Sequence, residues 1–187
     1  MPFTISSRFI GDFKLGDNIV FNLKVLKALY DYRAVGNPQQ RVYLLKPMII
    51  TNVSIIDAVL HDFYFRVRNH TREGVANLAE AIIAKLQGMV RIDKLELYIA
   101  QAQTNDLFGE PGEFYEQLHD LRKLRNRVHI QNEKRHFDPD DRHAFSEARL
   151  LQSEQALEKV LSTMAAKHSR KHDHVEDFEL PWDRHFA

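Results

Sequence analysis

The stretch LRKLRNRVHI at 121–130 places Arg122, Arg125, Asn126 and His129 in one segment of helical periodicity. At about 100° of rotation per residue, Arg122 and His129 fall within roughly 20° of each other, and Arg125 lies about 40° from His129. A side chain that exchanges a proton near neutral pH would then stand beside two that never lose theirs. That combination suits chemistry on a phosphodiester: the imidazole takes or gives a proton while guanidinium groups hold the charge that builds on the phosphate. The same residue types also describe a solvated basic helix end, where cations offset the dipole. Position adds a constraint. The apolar stripe of this helix is Phe114, Leu118, Leu121, Leu124 and Val128; Arg125 falls inside its arc, with Arg122 and His129 at the rim. An arginine turned toward a core needs a partner, because removing one half of a buried pair costs about 3–5 kcal/mol. Asp57 is the matching oddity, lying within the apolar arc of Ile49, Val53, Ile56, Leu60 and Phe63. The two are expected to form a buried salt bridge, which leaves Arg122 as the arginine that meets phosphate.

The elements that must carry these residues read as helices throughout. Residues 1–16 form an irregular opening. A first helix is expected with Asp17 as its cap and Ile19, Val20, Leu23, Leu26, Leu29 and Tyr30 at helical spacing, ended by Gly36. Asn37 caps a second helix that starts at Pro38, and Pro47 is expected to kink or break it before a further helix over about 48–67. After a loop at 68–74, helical pattern returns from Val75 to about residue 104, with Gly88 as a weak point. The loop GEPGE at 109–113 precedes the motif helix, expected from about Glu113 to Asn132. FDPDD at 137–141 supplies Asp138 as cap and Pro139 as first residue of a last helix that carries Phe145, Ala148, Leu151, Leu157, Val160, Leu161 and Met164. Beyond residue 167 the chain is a polar tail, mobile unless Phe178, Leu180, Trp182 and Phe186 dock. The expectation is an all-α antiparallel bundle of about five helices over 17–167, with no convincing strand.

Composition narrows the function classes. The 187 residues carry 26 basic and 26 acidic side chains, so no global field draws the protein to a polyanion and any such partner must meet a local patch. The absence of cysteine excludes disulfides, thiolate metal sites and a cysteine nucleophile, and fits a reducing cytosol. No stretch has the shape of a secretion signal or a run of some 18 apolar residues, so a soluble cytoplasmic protein without a membrane partner is expected.

With Arg122 and His129 bracketing six residues on the second-last helix of an all-helical domain, and Arg125-Asn126 between them, the chain resembles the HEPN superfamily (higher eukaryotes and prokaryotes nucleotide-binding domain) over roughly residues 17–165. The resemblance implies a metal-independent endoribonuclease without a cofactor, acting on RNA as a homodimer whose motif helices face each other across the dyad. Arg122, Asn126 and His129 would be its catalytic residues, and Arg125 a phosphate-binding or structural one. His129 would act as general base on a ribose 2′-hydroxyl. The resemblance also implies the alternative of an inactive module that binds RNA, nucleotide or a protein partner. Toxin and defence members pair with an antitoxin, and those that pair with small nucleotidyltransferases commonly carry tyrosine two residues after the histidine; here that position is Gln131.

Other groupings carry less. His172, Asp173, His174 and Asp177 have ligand chemistry but sit in a polar tail, and no metal site is expected there. Asp57 and His61 are four apart on one helix without a third ligand at a readable spacing. Phe63, Tyr64 and Phe65 fit core packing better than a base-stacking platform.

Overall fold

The computed structural model describes residues 3–69, 84, 94–129, 140–171 and 174–182. Within them the chain is mainly helical: six helices and one two-stranded antiparallel sheet, consistent with the expected bundle. Strand β1 (Phe3–Ile5) leads to α1 (Phe13–Val35) and α2 (Pro38–Asn69), followed by α3 (Leu95–Thr104), α4 (Gly112–Asn126), the single turn α5 (Asp141–Ala144), α6 (Glu147–Lys167) and strand β2 (Phe178–Leu180). Helix α2 is central, packing against α1, α3, α4 and α6. By length and composition it could cross a membrane, yet Met48, Ile49, Val53, Ile56, Leu60 and Phe63 are buried in the core of the bundle.

Local chemistry explains several boundaries. Asn37 and Gln40 cap α2 reciprocally, each side chain accepting from the other's backbone N–H at 3.0 and 2.9 Å, with Pro38 in the first turn. Of the kink or break expected at Pro47, the break does not occur: the helix runs through it. It lies on the exposed side, where the carbonyl that loses its donor can face water, while Leu45, Met48 and Ile49 on the other side are buried. Helix α1 begins earlier than expected: Asp12, not Asp17, is the cap, accepting from Leu15 N at 2.9 Å. The last helix is split in two. Asp140 caps α5, Phe145 turns into the core, and Ser146 starts α6 afresh by accepting from Arg149 N. The expected cap Asp138, with Pro139 and the weak point at Gly88, lies outside the described residues.

The opening segment and the tail are the largest departures from the sequence reading. Strand β1 pairs with β2 in the register Phe3↔Leu180, Thr4↔Glu179 and Ile5↔Phe178. Phe178, Leu180 and Trp182 are buried, so the tail docks on the body; Phe186 is outside the described residues. Trp182 Nε1 donates to Glu158 Oε2 at 3.0 Å, and the Tyr30 hydroxyl donates to Glu154. Ser7 fastens the other side, its N–H donating to Asp177 Oδ1 at 2.9 Å and its hydroxyl to the Val175 carbonyl at 2.6 Å.

The buried ion pair of the fold is Asp62 with Arg66, not Asp57 with Arg125. Arg66 Nε meets Asp62 Oδ2 at 2.8 Å, with side-chain exposures of 8% and 2%. The same carboxylate accepts from Gly11 N at 3.1 and 3.0 Å and from Asp12 N at 3.0 Å. A Cβ on Gly11 would come within 2.3 Å of Arg66 Cδ, so residue 11 has room only for hydrogen. Asp62→Asn should therefore destabilise the fold by about 3–5 kcal/mol, because Arg66 loses its counter-ion in a dry site. Gly11→Ala should destabilise it as well by displacing the guanidinium. Urea denaturation followed by circular dichroism measures both, and a midpoint unmoved by either change would remove this network from the account of stability.

Candidate functional site around the end of helix α4

Helix α4 buries Tyr115, Leu118, Leu121 and Leu124 and carries Arg122, Arg125 and Asn126 in its last two turns. It ends at Asn126, short of the expected Asn132. The N–H groups of Arg127 and Val128 bond to the carbonyls of Leu124 and Arg125 at 3.0 and 3.1 Å, the tight three-residue spacing that closes a helix end. This has two consequences. Val128, expected in the apolar stripe, is 52% exposed. His129 is exposed beyond the helix, so its relation to Arg122 follows a turn rather than the helical phase that the sequence suggests. Residues 130–139, Gln131 among them, lie outside the described residues.

Three arginines stand at the end of α4, each beside a carboxylate from a different element. Arg122 Nη1 donates to Glu96 Oε2 of α3 at 3.3 Å, and its Nε is buried without a hydrogen-bond partner among the described residues. Arg125 Nη2 donates to Asp57 Oδ2 of α2 at 3.0 Å. Arg127 Nε lies 3.2 Å from Asp141 Oδ1 of α5, and Lys46 Nζ also donates to Asp141, at 2.5 Å. Arg127 went unnoticed in the sequence because neither the stripe nor the motif spacing marks it. His129 and Asn126 make no hydrogen bond with the described residues.

Asp57 and Arg125 thus do meet, though at the rim: their side chains are 22% and 37% exposed. Water therefore reaches the pair. Burial still pushes the Asp57 carboxyl above the usual range, against the opposing pull of Arg125 and of His61 one turn along. His61 is exposed and bonds through Nδ1 to the Tyr98 hydroxyl at 2.8 Å.

His119 is an imidazole on α4 itself that the sequence reading missed. It precedes Arg122 by one turn, and burial, then the Arg122 charge, lowers its pKa below the ordinary histidine value. Both effects favour its neutral form. The signal was present in the spacing of His119 and Arg122, three apart on the helix, but His119 lies away from the apolar arc that guided the search.

Beside Asp141 lies an open cavity of about 670 Å³, lined by Pro38, Gln39, Val42 and Tyr43 of α2 and by Asp141, Arg142 and Phe145. The exposed positions of α4 itself, Glu113, Glu116, Gln117, Lys123 and Asn126, are polar. A twofold contact through this helix would therefore rest on polar groups and Val128. Among the described residues no three histidine, aspartate or glutamate side chains gather as metal ligands; His172 and Asp173 are not described, and Asp177 is bonded to Ser7. Comparison with protein-family models, curated proteins and solved structures finds no match to this chain.

The partial exposure of Asp57 and Arg125 lowers the coupling expected from a double-mutant cycle with Asp57→Asn and Arg125→Met to about 0.5–1 kcal/mol. Strictly additive losses would mean that the pair contributes nothing. The raised Asp57 pKa also has a sign. The folded state holds this proton more tightly than the unfolded state, so as pH rises from about 3.9 through the folded value, stability attributable to Asp57 falls. Asp57→Asn should remove that part of the pH dependence, measurable as melting temperature between acid and neutral pH.

Proposed function

We propose that the corner formed by the end of α4 binds RNA and cleaves its backbone by attack of a ribose 2′-hydroxyl, with His129 as the base. The observation that carries this reading is the pairing of an exposed imidazole with arginines whose counter-ions are open to exchange. Glu96 and Asp141, the partners of Arg122 and Arg127, have side chains 57% and 43% exposed. A phosphate can displace such carboxylates, and it offers the planar guanidinium two acceptors in return. Arg125, held by the less exposed Asp57, mainly fixes the helix end.

In this reading the 2′-oxygen forms a bond to phosphorus as its proton passes to the His129 imidazole. The bond from phosphorus to the 5′-oxygen breaks, and that oxygen takes a proton from water or from a second protonated imidazole. The products are a 2′,3′-cyclic phosphate and a 5′-hydroxyl end. Arg122 and Arg127 stabilise the charge on the equatorial oxygens, and Asn126 orients the phosphate. The partner chain's His129 would serve as that protonated imidazole if two motif helices pair. Neither step draws on a metal or a cofactor. The cavity beside Asp141, with Tyr43 on its wall and Phe145 beneath, is of a size for one nucleoside and gives a flanking base a ring to stack on.

A second reading, RNA, nucleotide or protein binding without cleavage, is favoured by the same ion pairs: every arginine of the corner already has a carboxylate, and the chain as a whole is neutral. Cleavage assays separate the two. Single-stranded RNA should be cut in the presence of chelator while DNA of the same sequence stays intact, because DNA lacks the nucleophile. His129→Ala should abolish cutting with melting temperature unchanged, and Arg122→Gln should lower kcat/KM by about 100-fold. RNA that is bound yet uncut by the unaltered protein would decide for the second reading.

A further inference from the structure

Helix α1 is apolar on two opposite faces. Ile19, Leu23 and Leu26 are buried against the body of the protein. The other face carries Phe21, Val25, Ala28, Tyr32 and Val35, of which Phe21 is 66%, Tyr32 69% and Val35 84% exposed. Isolated exposed apolar residues are ordinary, but these follow one another at spacings of four, three, four and three. That is the 3.5-residue period with which one helix meets another along a seam, sustained over about 21 Å of helix.

We propose that this stripe is the contact between two copies of the chain, with the two α1 helices antiparallel about a twofold axis at Ala28. In an isologous contact, residue i meets j and j meets i. With the axis at Ala28, Phe21 meets the partner's Val35, and Val25 meets the partner's Tyr32. The two Ala28 side chains, the smallest on the stripe, face each other where the helices come nearest. The same register sets Lys24 beside the partner's Asp31, and Asp31 beside the partner's Lys24, so the one flank that both residues occupy carries two pairs of opposite charges. A parallel pair would instead set Lys24 beside the partner's Leu29 and Asp31 beside the partner's Gly36, with nothing to match either charge. Asp31 has no ion pair among the described residues of its own chain. Lys24 holds Glu176 at 3.0 Å, but both side chains are about two-thirds exposed (65% and 67%), so the ammonium can take a second carboxylate. The face lies away from the corner around Arg122 and stands independently of the RNA reading. One seam of this length is small beside the total of about 1,200–2,000 Å² that stable complexes bury, so the dimer should dissociate on dilution.

The chain contains no cysteine, which makes engineered thiols unambiguous probes. In the full chain under mild oxidation, Ala28→Cys should cross-link to itself. Phe21→Cys should not, but a mixture of Phe21→Cys and Val35→Cys chains should cross-link to each other. Failure of Ala28→Cys to form a dimer, or equal self-cross-linking of Phe21→Cys, would overturn the antiparallel pairing. Sedimentation equilibrium of the cysteine-free chain gives the second arm: a monomer–dimer equilibrium in the micromolar range. Lys24→Asp and Asp31→Lys should each weaken it by about fivefold or more, and mixing the two variants should restore it, since every facing pair is then opposite in sign. Melting temperatures should barely move, as all these side chains are exposed. A monomer at high micromolar concentration, as a face for an unrelated protein or a lipid surface would give, defeats the proposal. So does a dimer that survives Phe21→Glu.

Discussion

A carboxylate as buried as that of Asp62 is tolerated only when donors replace the water it has lost. Here the donors are the guanidinium of Arg66 and the backbone N–H groups of Gly11 and Asp12, so a charge on the central helix dictates where the opening segment must lie. Much follows from that placement. Asp12 turns its own side chain to Leu15 N and starts α1. Phe9 and Ile10 are set into the core, Ser7 reaches Asp177, and β1 arrives beside β2. A hydrophobic contact could slide by a side chain's width, whereas a carboxylate with four directed bonds cannot.

Asp57 lies just over one turn earlier on the same helix and also holds an arginine, yet the two pairs do different work because water reaches one of them. In the dry pair, exchange of the counter-ion would leave the Asp62 carboxylate and the guanidinium to be desolvated apart, so Arg66 is committed to structure. Around Arg122 and Arg127 the carboxylates are open to solvent, and changing partner costs little. The exposure of the carboxylate, 2% at Asp62 against 57% at Glu96 and 43% at Asp141, rather than residue type, separates the arginine committed to the fold from those whose partner can be exchanged.

That exposure is what the sequence conveys least well. Periodicity was enough to find α1, α2, α4 and α6 and most of their buried positions, although Val128, Ala148 and Leu151 of the expected stripes are exposed, and the oddity of Arg125 and Asp57 within apolar arcs led to a pair that the structure does bring together. It did not reveal that α4 stops at Asn126, because the closing bonds come from backbone groups that any sequence possesses. Nor did it separate Asp62 from the many acidic residues of helix surfaces: its partners are main-chain N–H groups some fifty residues away, which leave no mark on side-chain pattern. The docked tail was legible only as four late apolar residues whose destination was open. Pro47 misled in the opposite direction, since a proline's effect depends on which side of the helix it occupies.

The pairing of β1 with β2 bears on how the chain acquires its structure. Phe3 cannot meet Leu180 until the residues between them have been synthesised, so during translation the first strand waits while α1 to α6 emerge. Helical segments with local contacts can assemble in that interval, but the clasp across them closes only after all six and over the whole span from Phe3 to Leu180. Until it closes, the surface that receives Phe178 is bare, and Phe9, which packs edge-on against that ring at 5.8 Å, has lost its cover. A nascent chain stalled in the region of residue 170 would therefore resemble the finished protein in helix content while exposing one apolar seam along its flank, the kind of surface on which chaperones act.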